Sequence, residues 1–167
     1  MNSIQEFSFE KNCLVITSSG AKSRGWLDYL DIQDYQIFDS VEPNPSMETV
    51  EKILSQYNQT FSYVVGLGGG SSLDVAKFVA NKLKTKKILI PTTFGSGSEV
   101  TRISVLQIDG KKTSFHSNDL LADISIIDPY FVKDAPFEII KNSAIDACAQ
   151  CTEAFDSKLA NIYTKFL

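Results

Sequence analysis

The sequence predicts an α/β fold: a Rossmann-like parallel sheet with helices on both faces, followed by the first helix of a further unit. Three observations predict it. Short apolar, β-branched runs alternate with segments of helical period as far as Pro91. Those runs are apolar nearly throughout, the pattern of strands buried on both faces. From Pro136 onward helical period alone persists. A boundary near 130–135 therefore separates an α/β unit, 1–133, from the start of a helical one, 134–167. The last ~34 residues are too few to bury a core by themselves.

The elements follow in order. Leu14-Val15-Ile16-Thr17 is a strand, and Ser18-Ser19-Gly20 turns away from it. Trp26, Leu27 and Leu30 carry a helix, and Tyr35 to Phe38 is a second strand. Pro43-Asn44-Pro45-Ser46 caps a helix whose buried face is Val50, Ile53, Leu54 and Tyr57. Phe61 to Val65 is the third strand and Lys87 to Pro91 the fourth. Ile103–Ile108 and Lys112–Phe115 then alternate around Asp109-Gly110, a type I′ hairpin signal. Ile124 to Ile127 is a last strand, stopped by Asp128-Pro129. Ala144, Ile145, Ala147, Cys148, Cys151 and Phe155 form the apolar stripe of a helix expected to run to the end.

Composition excludes several classes. At 167 residues, 43% hydrophobic and 22% charged, the chain can bury a core. A net charge of −4, without a block of like charge, argues against nucleic-acid partners. No apolar run approaches ~18 residues, so no membrane span is expected. Three cysteines and no basic-then-apolar leader place the protein in the reducing cytoplasm.

The chemistry concentrates where Val64-Val65-Gly66-Leu67-Gly68-Gly69-Gly70-Ser71-Ser72 leaves the third strand. Ser71 or Ser72 is expected to cap the next helix, with Asp74 in its first turn. A strand, a side-chain-free turn and a helix N-terminus together make an anion site, because free N–H groups and the helix dipole converge. The same glycines would equally serve to pack a helix closely on a sheet. The strict G-x-G-x-x-G fingerprint is not met, since Ser71 holds its last place. A second polar loop, Pro91-Thr92-Thr93-Phe94-Gly95-Ser96-Gly97-Ser98-Glu99-Val100-Thr101, follows the fourth strand. Its hydroxyls suit a ribose, a phosphate or a carboxamide. It also reads as a helix start at Ser96 or Ser98, with Glu99 in the first turn.

Together the two loops closely resemble the iron-containing (group III) alcohol dehydrogenases. The family's G-G-G-S-x-x-D-x-A-K stands as Gly68 to Lys77, and its P-T-T-x-G-T-G-S-E-V-T as Pro91 to Thr101 with Ser96 for threonine. Val41 to Ser46 matches V-x-P-N-P-T, and Ile127-Asp128-Pro129 matches I-D-P. The resemblance implies a nicotinamide-nucleotide domain followed by a metal-binding helical one. It implies that Gly68, Gly69, Gly70, Ser71 and Ser72 hold a pyrophosphate, with Asp74 beside them. Thr92, Thr93, Ser98 and Thr101 would line the ribose and nicotinamide path, and Lys112 matches a family lysine near the cofactor. NAD-restricted members carry an aspartate after the first strand; Ser18 stands there, so NADP or NAD is expected, with NADP tolerated.

The helical signature G-x-D-A-L-x-H-A-I-E-A-Y stands here as Ala144 to Phe155. The resemblance makes Asp146 a ligand for the family's divalent metal, iron or zinc. Its second ligand, a histidine, is here Gln150, and the two further histidines would lie beyond residue 167. A neutral amide oxygen is a poor exchange for imidazole. Read without the family, Asp146 is an ordinary helix residue, and Cys148-x-x-Cys151 two small apolar residues on a buried face. The implied activity is NAD(P)-dependent alcohol dehydrogenase or aldehyde reductase on a small alcohol or aldehyde. The implied partners are a homo-oligomer or a C-terminal part. The alternatives are a catalytically silent nucleotide-binding module and an assembly subunit.

Overall fold

The computed structural model describes residues 7–166. Five strands form one parallel sheet: β1 (Cys13–Thr17), β2 (Tyr35–Phe38), β3 (Tyr63–Gly68), β4 (Lys86–Pro91) and β7 (Ile124–Ser125), in the order β2-β1-β3-β4-β7. The remaining helices of the α/β unit are α1 (Gly20–Ser23), α2 (Trp26–Leu30), α3 (Met47–Gln56) and α4 (Gly70–Leu83). Strand alternation splits the core in two. Leu14, Ile16, Val64 and Leu89 face α3 and α4, packing on Val50, Ile53, Leu73 and Val79. Cys13, Val15, Val65, Leu67, Ile88 and Ile90 face the other way, onto Ala21, Leu27, Leu30 and Phe131. Both faces are covered, which is why these strands read as unbroken apolar runs.

β5 (Ile103–Ile108) and β6 (Lys111–His116) pair as a separate antiparallel hairpin. Asp109 and Gly110 both have positive φ, 50° and 73°, as a type I′ turn requires. Backbone and ring contacts tie the hairpin down. Gln107 N donates to Pro45 O at 2.8 Å, and Phe115 meets Phe78 edge-to-face. The loop before α3 caps as expected. Ser46 Oγ accepts from Thr49 N, and Glu42 Oε1 accepts from Ser46 N (3.0 Å) and the Thr49 hydroxyl (2.6 Å). Burial works to raise the pKa of Glu42, but these hydrogen bonds together hold it below the usual carboxylate value.

Four expectations need correction. β3 runs on through Gly66 to Gly68 rather than stopping at Val65, because the glycines keep pairing with Leu89 and Pro91. α4 begins at Gly70 with Gly69 as its cap; Ser71 and Ser72 lie inside it and Asp74 falls beyond its first turn. α5 (Phe137–Asp156) does not reach the end of the chain; Ser157 breaks it in extended backbone. Nor is its apolar stripe buried. No residue of α5 is buried, Cys148 is exposed and Cys151 half-exposed.

Candidate functional site at the glycine turn

The strand order reverses direction between β1 and β3. Ligands of such sheets bind in the crevice at the carboxyl ends of the strands, at that switch point. Thr17 pairs with Leu67, so Ser18 leaves β1 beside Gly68. Thr17 Oγ1 is buried there without a hydrogen-bond partner among the described residues. On the other flank Gly68 pairs with Pro91, and Thr92 N donates to Gly68 O at 3.0 Å.

α4 starts at this point. Its first intrahelical bond runs from Leu73 N to Gly69 O (3.2 Å), so the N–H groups of Gly70, Ser71 and Ser72 precede any carbonyl of their own helix. No acidic residue sits in the first turn to oppose an anion. A Cβ added at Gly69 would find only Thr93, at 3.4 Å; one at Gly70 would approach Ser96 Oγ at 3.0 Å. The turn is therefore a cradle of bare backbone rimmed by the Thr93 and Ser96 hydroxyls, and it fits a pyrophosphate.

A cleft opens on each side of the cradle. One, of about 330 Å³, is aromatic: Trp26, Tyr130 and Phe131 line it with Arg24, Thr92 and Thr93. The other, of about 460 Å³, is polar, and brings together Asn44, Ser71, Asp74, Lys112 and Asp146. Its floor is a buried network. Asp74 Oδ1 accepts from the Ser98 hydroxyl (2.6 Å) and Oδ2 from Val105 N (2.9 Å). Lys77 is wholly buried; its Nζ donates to Ile103 O (2.6 Å) and Thr101 Oγ1 (3.3 Å) and stands 3.5 Å from Asp74. Burial pulls the Lys77 pKa down, against the pull of Asp74. So Asp74, Ser98 and Thr101 spend their polar groups on one another and on Lys77. Thr92 and Thr93 line the aromatic cleft, and Ser71, with one edge of Asp74, lines the polar one.

The metal positions behave differently. Gln150 Nε2 donates to Asp146 Oδ1 (3.1 Å) and to Gly95 O (3.0 Å). A Cβ at Gly95 would stand 2.7 Å from Asp146 Oδ2 and 2.8 Å from Ser143 O. Gly95 thus lets α5 rest on the second loop, and the Gln150 amide joins the two. Among the described residues no three His, Cys, Asp or Glu side chains gather to share a metal ion. A carboxylate whose neighbour turns N–H groups toward it does not fit the family's metal.

Sequence reading did not single out Arg24 or Tyr130, and placed Trp26 only in a helix. Arg24 and Trp26 are far from Tyr130 in the chain, and only the return of residues 129–131 onto α2 joins them; Tyr29 stacks on Tyr130 with centroids 3.5 Å apart. Aromatic residues at both ends of the α/β unit were the available signal.

Known proteins share this sequence pattern and fold. The sequence model of the iron-containing alcohol dehydrogenases matches residues 2–129. A long-chain-alcohol dehydrogenase from Geobacillus thermodenitrificans is 34% identical over 175 residues, covering 88% of this chain and 44% of that protein. The structure of an iron-containing alcohol dehydrogenase from Thermotoga maritima superposes with a TM-score of 0.83 at 32% identity, over 94% of this chain and 51% of that one. A sulfoacetaldehyde reductase from Bifidobacterium kashiwanohense, solved in complex with NAD+, superposes at 0.80 with 27% identity, over 89% and 46%. The chain thus spans about half the length of the relatives it matches. With the glycine cradle, the second loop and the sheet order in place, this chain belongs to the iron-containing alcohol dehydrogenase family.

Proposed function

We propose that this chain is the nicotinamide-nucleotide-binding part of an alcohol dehydrogenase or aldehyde reductase. One observation carries the reading: bare backbone at Gly69 and Gly70, at the N-terminus of α4, with a cleft on each side. A dinucleotide has the matching form, two nucleoside ends joined by a pyrophosphate. The N–H groups of Gly70, Ser71 and Ser72 hold the pyrophosphate, and the Thr93 and Ser96 hydroxyls donate at its edges. The adenine occupies the aromatic cleft between Trp26 and Tyr130. The nicotinamide end lies in the polar cleft, where Lys112 donates to its ribose. A nicotinamide held there would supply hydride chemistry: it would take a hydride from the carbon bearing a primary alcohol as the hydroxyl proton leaves to solvent, or return one to an aldehyde's carbonyl carbon as the oxygen takes up a proton. Asp74 and Lys77 act indirectly, fixing the hairpin that carries Lys112. Reduced thiols and the family's chemistry suit a cytoplasmic enzyme, with substrate closed in by a helical part or a second copy.

The test is binding with and without turnover. Trp26 is the only tryptophan and lines the aromatic cleft. NADH or NADPH titrated into the 167-residue chain is expected to quench its emission. The same chain, supplied with primary alcohols and added zinc or ferrous iron, is expected to form no NAD(P)H. Unchanged emission with both cofactors would refute the nucleotide site. Metal-dependent turnover abolished by Asp146→Asn would refute the silence of this chain.

A further inference from the structure

We propose that Arg24 makes the turn after β1 a site for the 2′-phosphate of an adenine dinucleotide, so that the chain selects NADP(H) over NAD(H). The inference rests on the dinucleotide reading above and extends it to the adenosine ribose. A ligand with its pyrophosphate on Gly69–Ser72 and its adenine between Trp26 and Tyr130 passes its ribose over the end of β1. A dinucleotide site that takes NAD places a carboxylate near that ribose; one that takes NADP places an arginine. The turn here is Thr17-Ser18-Ser19-Gly20, with no carboxylate.

Arg24 is held for the role. Its guanidinium carbon stacks 5.0 Å from the centre of the Trp26 ring. A Cβ on Gly20 would lie 2.6 Å from Arg24 Nη1, so the guanidinium rests directly over the Gly20 backbone. Contact with the ring and with the Gly20 backbone holds one side of the guanidinium and leaves N–H groups for bidentate donation to a phosphate. Its charge is unspent, because no carboxylate pairs with Arg24 among the described residues. The neighbouring charges are already matched. Lys22 pairs with Asp39 at 3.1 Å, and its hydrogen bond holds the Asp39 carboxyl below its usual value. Asp134, across the aromatic cleft, has Lys133 at 3.9 Å, and Lys133 Nζ sits 4.0 Å above the Tyr130 ring. Arg24 is thus the cation at this rim without a carboxylate of its own.

The experiment is calorimetric titration of the full chain with NADPH, NADH, 2′,5′-ADP and 5′-AMP, repeated on Arg24→Ala and Arg24→Lys. The parent is expected to bind NADPH at least about tenfold more tightly than NADH. Arg24→Ala should lose about tenfold or more on NADPH and 2′,5′-ADP beyond any loss it shows on NADH and 5′-AMP. Arg24→Lys should retain part of the preference, since a point charge replaces a bidentate fork. The NADH arm also certifies that each variant is folded. Equal affinity of the parent for both cofactors, or a preference for NADH, overturns the inference and leaves the dinucleotide reading intact. So does an Arg24→Ala chain that weakens phosphorylated and unphosphorylated ligands alike, which would make Arg24 a packing partner of Trp26. A parent that binds none of the four ligands overturns both.

Discussion

Gly66, Gly68 and Gly69 are near neighbours with different duties. A Cβ at Gly66 would meet Ala76 Cβ at 2.7 Å and Leu89 Cδ2 at 2.9 Å, so this glycine lets α4 settle on the sheet. A Cβ at Gly68 would meet Ser72 Oγ at 2.7 Å, so this one makes the sharp exit from β3. Gly69 has neither reason: its φ is −74° and its would-be Cβ finds only ordinary contact. The packing reading of the glycine run thus holds at Gly66 and Gly68, and the proposed anion site is left to the backbone at Gly69. The cysteines separate in the same way. Cys13 is fully buried in β1, its thiol bonded to Glu10 O, and burial, helped by Glu10 and Asp34, pushes its pKa up to about 11. A buried, protonated thiol is a poor nucleophile. A thiol reagent should therefore modify Cys148 and Cys151 promptly in the native chain, and Cys13 only on unfolding. Prompt reaction at all three would show that β1 opens readily.

At the scale of elements, the joint between α4 and the hairpin carries a buried ion pair beside its apolar contacts. Asp74 and Lys77 sit one turn apart and reach the second loop and β5 together. Removing one partner of a buried pair strands the other. Asp74→Asn should therefore lower stability by about 3–5 kcal/mol, read by urea denaturation. Lys77→Met should cost less, since methionine refills the volume and Asp74 keeps Ser98 and Val105 N. A cost for Asp74→Asn no larger than that of an exposed pair, about 0–1 kcal/mol, would contradict the account. The sign of the pH effect follows from Lys77. Its folded pKa is lowered, so at neutral pH its charge works against folding. That opposition fades as pH rises through the folded value toward the unfolded one, about 10.4.

For the whole molecule, the sheet and the glycine turn were legible because strands buried on both faces and a run of glycines each leave a local signature. The starting residue of α4 was not, because Gly69 caps it with backbone alone and Ser71 and Ser72 look like better caps. The aromatic cleft was not, because Arg24 and Trp26 meet Tyr130 and Phe131 only after the sheet has closed. The stripe of α5 was read correctly as apolar but not as uncovered; Phe137, Ile145 and Phe155 lie open to solvent. Gln150 was legible as a departure from the family, while its bond to Gly95 O depends on where α5 rests. The central claim is that the backbone at Gly69 is left bare for a dinucleotide. Calorimetric titration of NADPH and NADH into the parent chain and Gly69→Val tests it most directly, with thermal melting of both. The variant is expected to stay folded, since a Cβ at Gly69 meets only Thr93 at ordinary contact distance, and to bind at least about tenfold more weakly. A variant that binds as tightly as its parent would contradict it.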